Sequence, residues 1–478
     1  MVGAGRRKWY ALALLCTVQF MVVLDIAIVN VALPSIQKEL HFTQESLQWV
    51  ISAYALVFGG FLLLGGRSAD LLGRRRVFFA GLIVFSVGSL LCGVSWSETS
   101  LIASRAFQGL GAATISPAAL SILTTTFAEG RERNIALGAW GAVGGFGAAA
   151  GVLFGGILTD LLSWNWIFLV NVPVGVASLA LIPILLAESR DARTRSFDAL
   201  GSIVVTSGLV LLVLAITKGE DWGWASARTV GVFVVSAVLL AGFTAWEARH
   251  PEPLMPLSIF RLRTLTAANV SGFILGTALF AMFLMLTLYM QQVLGYSPLK
   301  TGVAYLAVAG TSILWANVAA QAVNRVGVKP ALVFGMAMMT VGLIYFTQVS
   351  VGGSYWADLF PGFLIIGVGI PFSFIPITIA AVAGTKPEEA GLASGLINTT
   401  QQIGGALGIA VLSTIANSTT RSDAKTGVAI ANALTHGFQN AFWVGMGVAA
   451  VGVAVAVLFV RRSDLVPTAA LEPAAETV

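Results

Sequence analysis

Two ionisable side chains stand inside sequence that is otherwise apolar. Asp25 lies in "VLDIAIVNVALP", residues 23–34, and Arg105 lies in "SRAFQGLGAA", residues 104–113. A carboxylate removed from water favours its protonated form, and a guanidinium beside it favours the charged form. A site that alternates between those surroundings can therefore load and release a proton. The same two residues also fit a second reading, a static buried ion pair that ties two helices together. A further charged group, "GRSADLLGRRRV", contains Gly66, Asp70, Gly73, Arg74, Arg75 and Arg76. A carboxylate among guanidiniums forms charge-assisted bonds that can hold two helix ends in one arrangement and release them in another. A turn that only set topology would need the arginines but neither the Asp nor the two glycines.

Catalytic alternatives are poorly supported. His41, His250 and His436 have no metal-ligand spacing, and neither a phosphate-binding "GxxxxGK[ST]" nor a "GxSxG" nucleophile turn occurs. Cys16 and Cys92 both fall in apolar runs without CxxC spacing and read as small core residues. The sequence is not that of an enzyme, and no cofactor or metal is expected.

The elements that position these charges must be membrane helices. Hydrophobic residues make up 57% of the 478 and charged residues 10%, against roughly 25% charged in soluble domains. Mean hydropathy is +0.88. The net charge of +5 is scattered between apolar runs, which argues for a topology signal and against nucleic-acid binding. Fourteen segments reach the length that spans a bilayer. Their cores are residues 10–33, 48–66, 77–97, 100–126, 134–159, 165–187, 199–217, 229–247, 266–290, 300–323, 331–349, 357–383, 391–416 and 436–460. With these boundaries, twenty of the 27 Lys and Arg fall in loops on the side of the N-terminus, six fall on the other side, and Arg105 lies within a span. The positive-inside rule then places both termini in the cytoplasm. At 1.5 Å per residue, Arg105 and Asp25 lie about 8 and about 13 Å below the same outer surface, depths compatible with a pair.

An internal repeat divides the chain. The spacing of Gly66, Asp70, Gly73 and Arg75 recurs at Ala320, Asn324, Gly327 and Lys329, after the second and the tenth span. The reading is an all-α polytopic membrane protein with 14 transmembrane helices arranged 6 + 2 + 6. An N-terminal six-helix bundle covers residues 1–190, two inserted helices cover 191–260, and a C-terminal six-helix bundle covers 261–462. A tail follows at 463–478. The "ESRDARTRSFD" linker and the tail read as solvated connectors. In "GAAAGVLFGG", Gly147, Gly151 and Gly155 recur every fourth residue, with Gly156 following. They form a smooth helix face for close packing.

These motifs resemble the major facilitator superfamily, and within it the fourteen-span drug:proton antiporter subfamily of multidrug or antibiotic exporters. The superfamily loop motif is matched by Gly66, Asp70, Gly73, Arg74 and Arg75, with Leu71 where a basic residue is common. The subfamily's first-helix pattern is matched from Leu24 to Pro34, with Ala27 in place of the usual Thr. "WNWIFLVNVPVG" at residues 164–175, "FDALG" at 197–201 and "GLASGLINTTQQIGGALGIA" at 391–410 resemble further subfamily segments. The resemblance implies that Asp25 and Arg105 take part in proton coupling. It also implies that Gly147, Gly151, Gly155 and Gly156 form the antiporter motif associated with export, with Val152 in place of its Pro. Asn30, Phe273, Trp315, Phe372, Asn398 and Gln401 are the candidate substrate-cavity residues. A mostly apolar pocket with a few amides suits bulky amphipathic compounds, while each amide alone also fits a bridge between helices.

The expected function is proton-coupled efflux of small amphipathic molecules such as drugs or antibiotics, by alternating access, powered by the proton gradient. The expected partners are the substrate, protons and the lipid bilayer, with no nucleic acid, and the protein is expected to function as a monomer in a bacterial cytoplasmic membrane. A proton-coupled symporter importing a nutrient is the alternative, and a non-transporting receptor leaves the intramembrane charges without a purpose.

Overall fold

The computed structural model describes residues 4–43, 45–127, 131–189, 198–250, 253, 257–382 and 390–460. Among these residues there is no strand. The helices are α1 (Ala4–Leu40), α2 (Trp49–Leu72), α3 (Arg74–Gly93), α4 (Glu98–Thr126), α5 (Arg131–Leu161), α6 (Trp166–Leu169), α7 (Asn171–Leu185), α8 (Ala199–Trp222), α9 (Ala227–Glu247), α10 (Arg263–Leu288), α11 (Pro298–Ala304), α12 (Leu306–Val326), α13 (Val328–Phe346), α14 (Phe360–Val382), α15 (Ala390–Lys425) and α16 (Ile430–Phe459). Thirteen stretches among the described residues are long and apolar enough to cross a membrane, with α6–α7 and α11–α12 each forming one of them. α5 is a further helix of 31 residues containing the apolar segment Ala150–Leu161. Large apolar side chains cover the outside, as at Val230, Val234, Val235 and Val238 on α9. Such a surface suits lipid.

Local chemistry sets where helices begin and break. Ser97, Ser226 and Ser297 each accept a hydrogen bond from the backbone N–H three residues on, at the starts of α4, α9 and α11. The α6–α7 stretch breaks at Val170 and restarts at Asn171. Pro173 then falls in the first turn of α7, where its missing N–H is tolerated. Two helices run farther than their apolar cores. α1 continues through Pro34 to Leu40 and α15 continues past residue 416 to Lys425. The added segments "PSIQKEL" and "NSTTRSDAK" are polar, so hydropathy alone ends these helices too early.

Contacts sort the helix ends onto two faces. On the N-terminal face, Lys8 pairs with Glu132 at 2.6 Å and Arg7 Nε donates to the Leu185 carbonyl at 3.3 Å. On the opposite face, Asn165 Nδ2 donates to the Gly93 carbonyl at 2.8 Å and Tyr289 Oη to the Ser350 carbonyl at 2.6 Å. Helix α4 packs on α2 and α3, and α5 packs on α1. In the second part of the chain α15 packs on α10, α14 on α12 and α13, and α16 on α13 and α15. Helix α8 packs on α9 and also touches both α2 and α15.

The repeat has a structural counterpart. Gly73 and Gly327 both take positive φ, 109° and 94°, at the one-residue turns between α2 and α3 and between α12 and α13. Two residues on, Arg75 Nη1 donates to the Leu186 carbonyl at 3.4 Å and Lys329 Nζ to the Val457 carbonyl at 2.6 Å. Each cation thus meets the carbonyl end of a helix, α7 for Arg75 and α16 for Lys329, where the helix dipole favours positive charge. The Asn324 side chain, Arg190, Arg193, Arg195, Phe197, Lys386, Arg461, Arg462 and the 463–478 tail lie outside the described residues.

Candidate functional site

Asp25 and Arg105 meet, and protein side chains and carbonyls crowd the pair. Arg105 Nη1 donates to Asp25 Oδ2 at 2.6 Å, and both side chains are buried. Gln108 Nε2 and Asn171 Nδ2 donate to Asp25 Oδ1 at 2.8 and 2.9 Å. Ser89 accepts from both amides, at 3.2 and 3.0 Å, and donates to the Phe168 carbonyl at 2.8 Å. Arg105 is held from other sides by the Val50 carbonyl at 2.9 Å and by Gln108 Oε1 at 2.6 Å. The Tyr54 ring centre lies 4.3 Å from its guanidinium carbon, close enough for a cation–π contact.

The helices explain this convergence. The Ser97 cap fixes the start of α4, which places Arg105 two turns in and Gln108 one turn further on the same face. The break at Val170 places Asn171 at the first position of α7. Ser89 comes from α3, Tyr54 and Val50 from α2. Gln108, Asn171, Ser89 and Tyr54 were not singled out from sequence, although Gln108 and Asn171 lie in the motifs quoted above. Their signal there is faint, a polar residue three positions after Arg105 and an amide next to the helix break.

The glycines of α5 serve two neighbours. A Cβ built on Gly147 would lie 3.0 Å from Val23 Cγ1, one on Gly151 2.7 Å from Ala27 Cβ, and one on Gly155 2.7 Å from the Ile28 carbonyl oxygen. These three glycines therefore admit α1 at the turns that flank Asp25. Gly156 faces elsewhere, its Cβ position 2.7 Å from the Pro298 carbonyl oxygen at the start of α11. From α11, the Cβ position of Gly302 lies 2.5 Å from the Val152 carbonyl oxygen.

The "GRSADLLGRRRV" group joins the ends of α2, α3, α4 and α7. Arg74 reaches Asp70 with Nε at 3.0 Å and Nη2 at 2.9 Å, and Ser121 of α4 donates to Asp70 Oδ1 at 3.5 Å. The Gly66 Cβ position is 3.4 Å from Pro117 of α4. Glu188, beyond the end of α7, accepts from the Arg75 backbone N–H at 3.1 Å and faces the guanidiniums of Arg75 and Arg76 at 3.7 and 3.6 Å. Glu188 opens the segment read above as a solvated connector. Its first two residues instead hold α3, because a carboxylate satisfies the free N–H groups of a helix start.

The candidate cavity residues separate into groups. Asn398 and Gln401 line one small cleft with Phe374, Thr378, Ala381 and Ile397. Phe372 packs instead with Trp315 and Phe334, at ring-centre distances of 6.3 and 4.9 Å. Asn30 Nδ2 turns back to the Ile26 and Ala27 carbonyls of its own helix, at 3.3 and 3.4 Å. Phe273 lies partly buried on α10, its carbonyl oxygen 2.2 Å from the Cβ position of Gly404. Among the described residues no group of His, Cys, Asp and Glu could hold a metal.

Known proteins place this architecture. The puromycin resistance protein of Streptomyces alboniger is 37% identical over 93% of this chain and 90% of its own. The cephamycin export protein of Amycolatopsis lactamdurans is 38% identical over 86% and 85%, and the tetracenomycin C resistance and export protein of Streptomyces glaucescens 34% identical over 86% and 76%. Among solved structures, an auto-inhibited peptide transporter of the POT family superposes with a TM-score of 0.69 at 15% identity, covering 95% of this chain and 98% of its own. A bacterial homologue of the lysosomal transporter Spinster superposes at 0.65, covering 95% and 96%. At that identity the likeness is one of fold. The family model described as Major Facilitator Superfamily matches residues 15–409, so this chain, a multi-pass helical membrane protein, belongs to the Major Facilitator Superfamily.

Proposed function

We propose that this protein is a proton-coupled exporter of small amphipathic molecules, antibiotics among them, with fourteen spans arranged as two six-helix bundles and the inserted pair α8–α9. The fourteenth span is α5, added to the thirteen above. The observation that carries this reading is the donor set around Asp25. Arg105, Gln108 and Asn171 all donate to its carboxylate. Proton uptake removes the negative charge that all three donors address and adds a donor to the carboxyl itself, which weakens the charge-assisted bond from Arg105 above all. Those groups sit on α4 and α7, and Asp25 on α1. A proton arriving here therefore loosens the ties of α1 to α4 and α7.

The halves meet on the face opposite the N-terminus, where Gln291 Nε2 donates to the Val31 carbonyl at 2.8 Å and Gln292 Nε2 to Gln37 Oε1 at 3.1 Å. We assign that face to the outside and both termini to the cytoplasm of a bacterial membrane. Rocking of the bundles about a central cavity would then expose substrate and proton sites alternately. Asp70 with Arg74, and Glu188 with Arg75 and Arg76, act as the cytoplasmic fastening of the first bundle. The cleft at Asn398 and Gln401 offers amides on an apolar wall, and the relatives named for puromycin, cephamycin and tetracenomycin C support an organic substrate. The protein works as a monomer with the proton gradient as its energy source and needs no cofactor.

The test uses the purified chain in proteoliposomes with puromycin and tetracenomycin C as probes. A pH gradient drives accumulation by the parent protein. Asp25→Asn abolishes it, while substrate counterflow without a gradient persists. Undiminished gradient-driven accumulation in Asp25→Asn overturns the assignment of Asp25. Inverted vesicles with an acidic lumen take up an exported compound, whereas expulsion from them would overturn the direction.

A further inference from the structure

An ion-pair cluster on the face opposite the N-terminus lies outside the proton and substrate sites. Arg421, near the end of α15, pairs through Nη2 with Glu45 of the α1–α2 connection. Through Nη1 it meets Asp221 at 2.9 Å and Glu220 at 3.6 Å, both in the last turn of α8. Lys218 holds the other Asp221 oxygen at 3.1 Å. One guanidinium therefore ties together the first bundle, the inserted pair and the second bundle.

The seam beneath this cluster is poorly satisfied. A small cavity there is lined by Leu47, Gln48, Met285, Ser413, Asn417 and Phe438, among others. Gln48 Nε2 is held by Thr217 Oγ1 and by the Glu45 carbonyl, both at 3.0 Å. Gln48 Oε1 and Ser413 Oγ are buried with no hydrogen-bond partner among the described residues. Farther along the α2–α15 contact, Gln402 Nε2 is also buried without a partner among the described residues, and the Cβ position of Gly59 lies 3.2 Å from Gln402 Cβ. Unpaired buried polar atoms disfavour the closed seam, and each would gain a partner on exposure to water. The charges above hold shut a contact that its own polar groups would open.

We propose that Arg421 is the positioning residue of an outer gate. By holding Glu45 together with Glu220 and Asp221 it closes α2, α8 and α15 over the polar seam. When it lets go, the seam opens to water on that face. The pair α8–α9 is then a moving part of the gate. This proposal rests on the alternating cycle and the face assignment made above. Partly exposed ion pairs are individually weak and remade without difficulty, which suits a contact broken once in every cycle.

The test is side-specific labelling of the full-length protein. Ser413→Cys is introduced with Cys16 and Cys92 replaced by Ala, and a membrane-impermeant maleimide is applied to right-side-out and to inverted vesicles. Labelling of this parent is slow from both sides. Arg421→Glu raises the rate from the outside about fivefold, the effect of roughly one ion pair's worth of population shift, and Arg421→Gln changes it in the same direction. In a chain whose Glu220 and Asp221 are replaced by Gln and Asn, swapping the remaining pair with Glu45→Arg and Arg421→Glu returns the rate towards the parent value, which a merely structural defect would not do. Unchanged labelling from both sides in folded Arg421→Glu and Arg421→Gln proteins overturns the gate, as does failure of the swap to restore slow labelling. An increase seen only in inverted vesicles, reversed by the swap, supports the gate and overturns the face assignment instead.

Discussion

Among the described residues Arg105, Gln108 and Asn171 each donate to the Asp25 carboxylate, so substitutions here are judged by donors lost and acceptors left over. Arg105→Ala leaves a buried carboxylate without its cation and is expected to cost about 3–5 kcal/mol, read as a large fall in the unfolding temperature of the purified protein. Arg105→Lys keeps the charge but loses the fork that spans Asp25, Gln108 and the Val50 carbonyl. Asn171→Leu removes one donor from Asp25 and one from Ser89. It is expected to weaken gradient-driven transport more than counterflow, because its carboxylate partner is the proposed proton site, and to cost about 1–3 kcal/mol in stability. Asp25 and Arg105 were legible in the sequence because an isolated charge in an apolar run has few purposes. Gln108, Asn171 and Ser89 were not, because amides and hydroxyls occur widely in membrane helices. Only their convergence on one carboxylate distinguishes these three.

Helix positions were largely legible, since apolar length marks each span. Spacing alone left open which neighbour each helix face meets. Glycines four apart on α5 announced a smooth face, and the structure assigns that face to α1 beside Asp25 and turns Gly156 to α11. Gly151→Val would drive a branched side chain against Ala27 Cβ and the Leu24 carbonyl oxygen, 2.7 and 2.9 Å from the added Cβ. A cost of about 1–3 kcal/mol is expected for such overpacking, visible as lower yield of folded protein in detergent. Position 27, where the subfamily pattern has Thr, is thus a packing position against Gly151. Ala27→Thr is the partner experiment, expected to destabilise by the same crowding. The charged loop shows a similar division. Its Asp–Arg pair could be anticipated, whereas Glu188 lies more than a hundred residues away, in a stretch whose composition resembles solvent-exposed linker.

At the scale of the chain the repeat was legible, since its glycines recur as positive-φ turns at Gly73 and Gly327. The twenty-to-six distribution of Lys and Arg and the paired glycine turns both pointed to antiparallel spans in two related halves. The role of α8 was hidden, because nothing in an apolar helix reveals that it will lie against both α2 and α15. Its polar end, "KGEDW", gains meaning only beside Arg421. The Asp25–Arg105 pair has a consequence for bioenergetics. Its formal charges cancel, so protonation leaves the site with one positive charge. A membrane potential of 100 mV, negative inside, acts on an elementary charge with about 2.3 kcal/mol. Exchange of one proton for a neutral compound would therefore draw on voltage as well as on pH, whereas exchange for a monocation would draw on pH alone. Collapsing the potential with valinomycin and potassium is expected to slow efflux of the neutral compound and to leave that of the monocation unchanged.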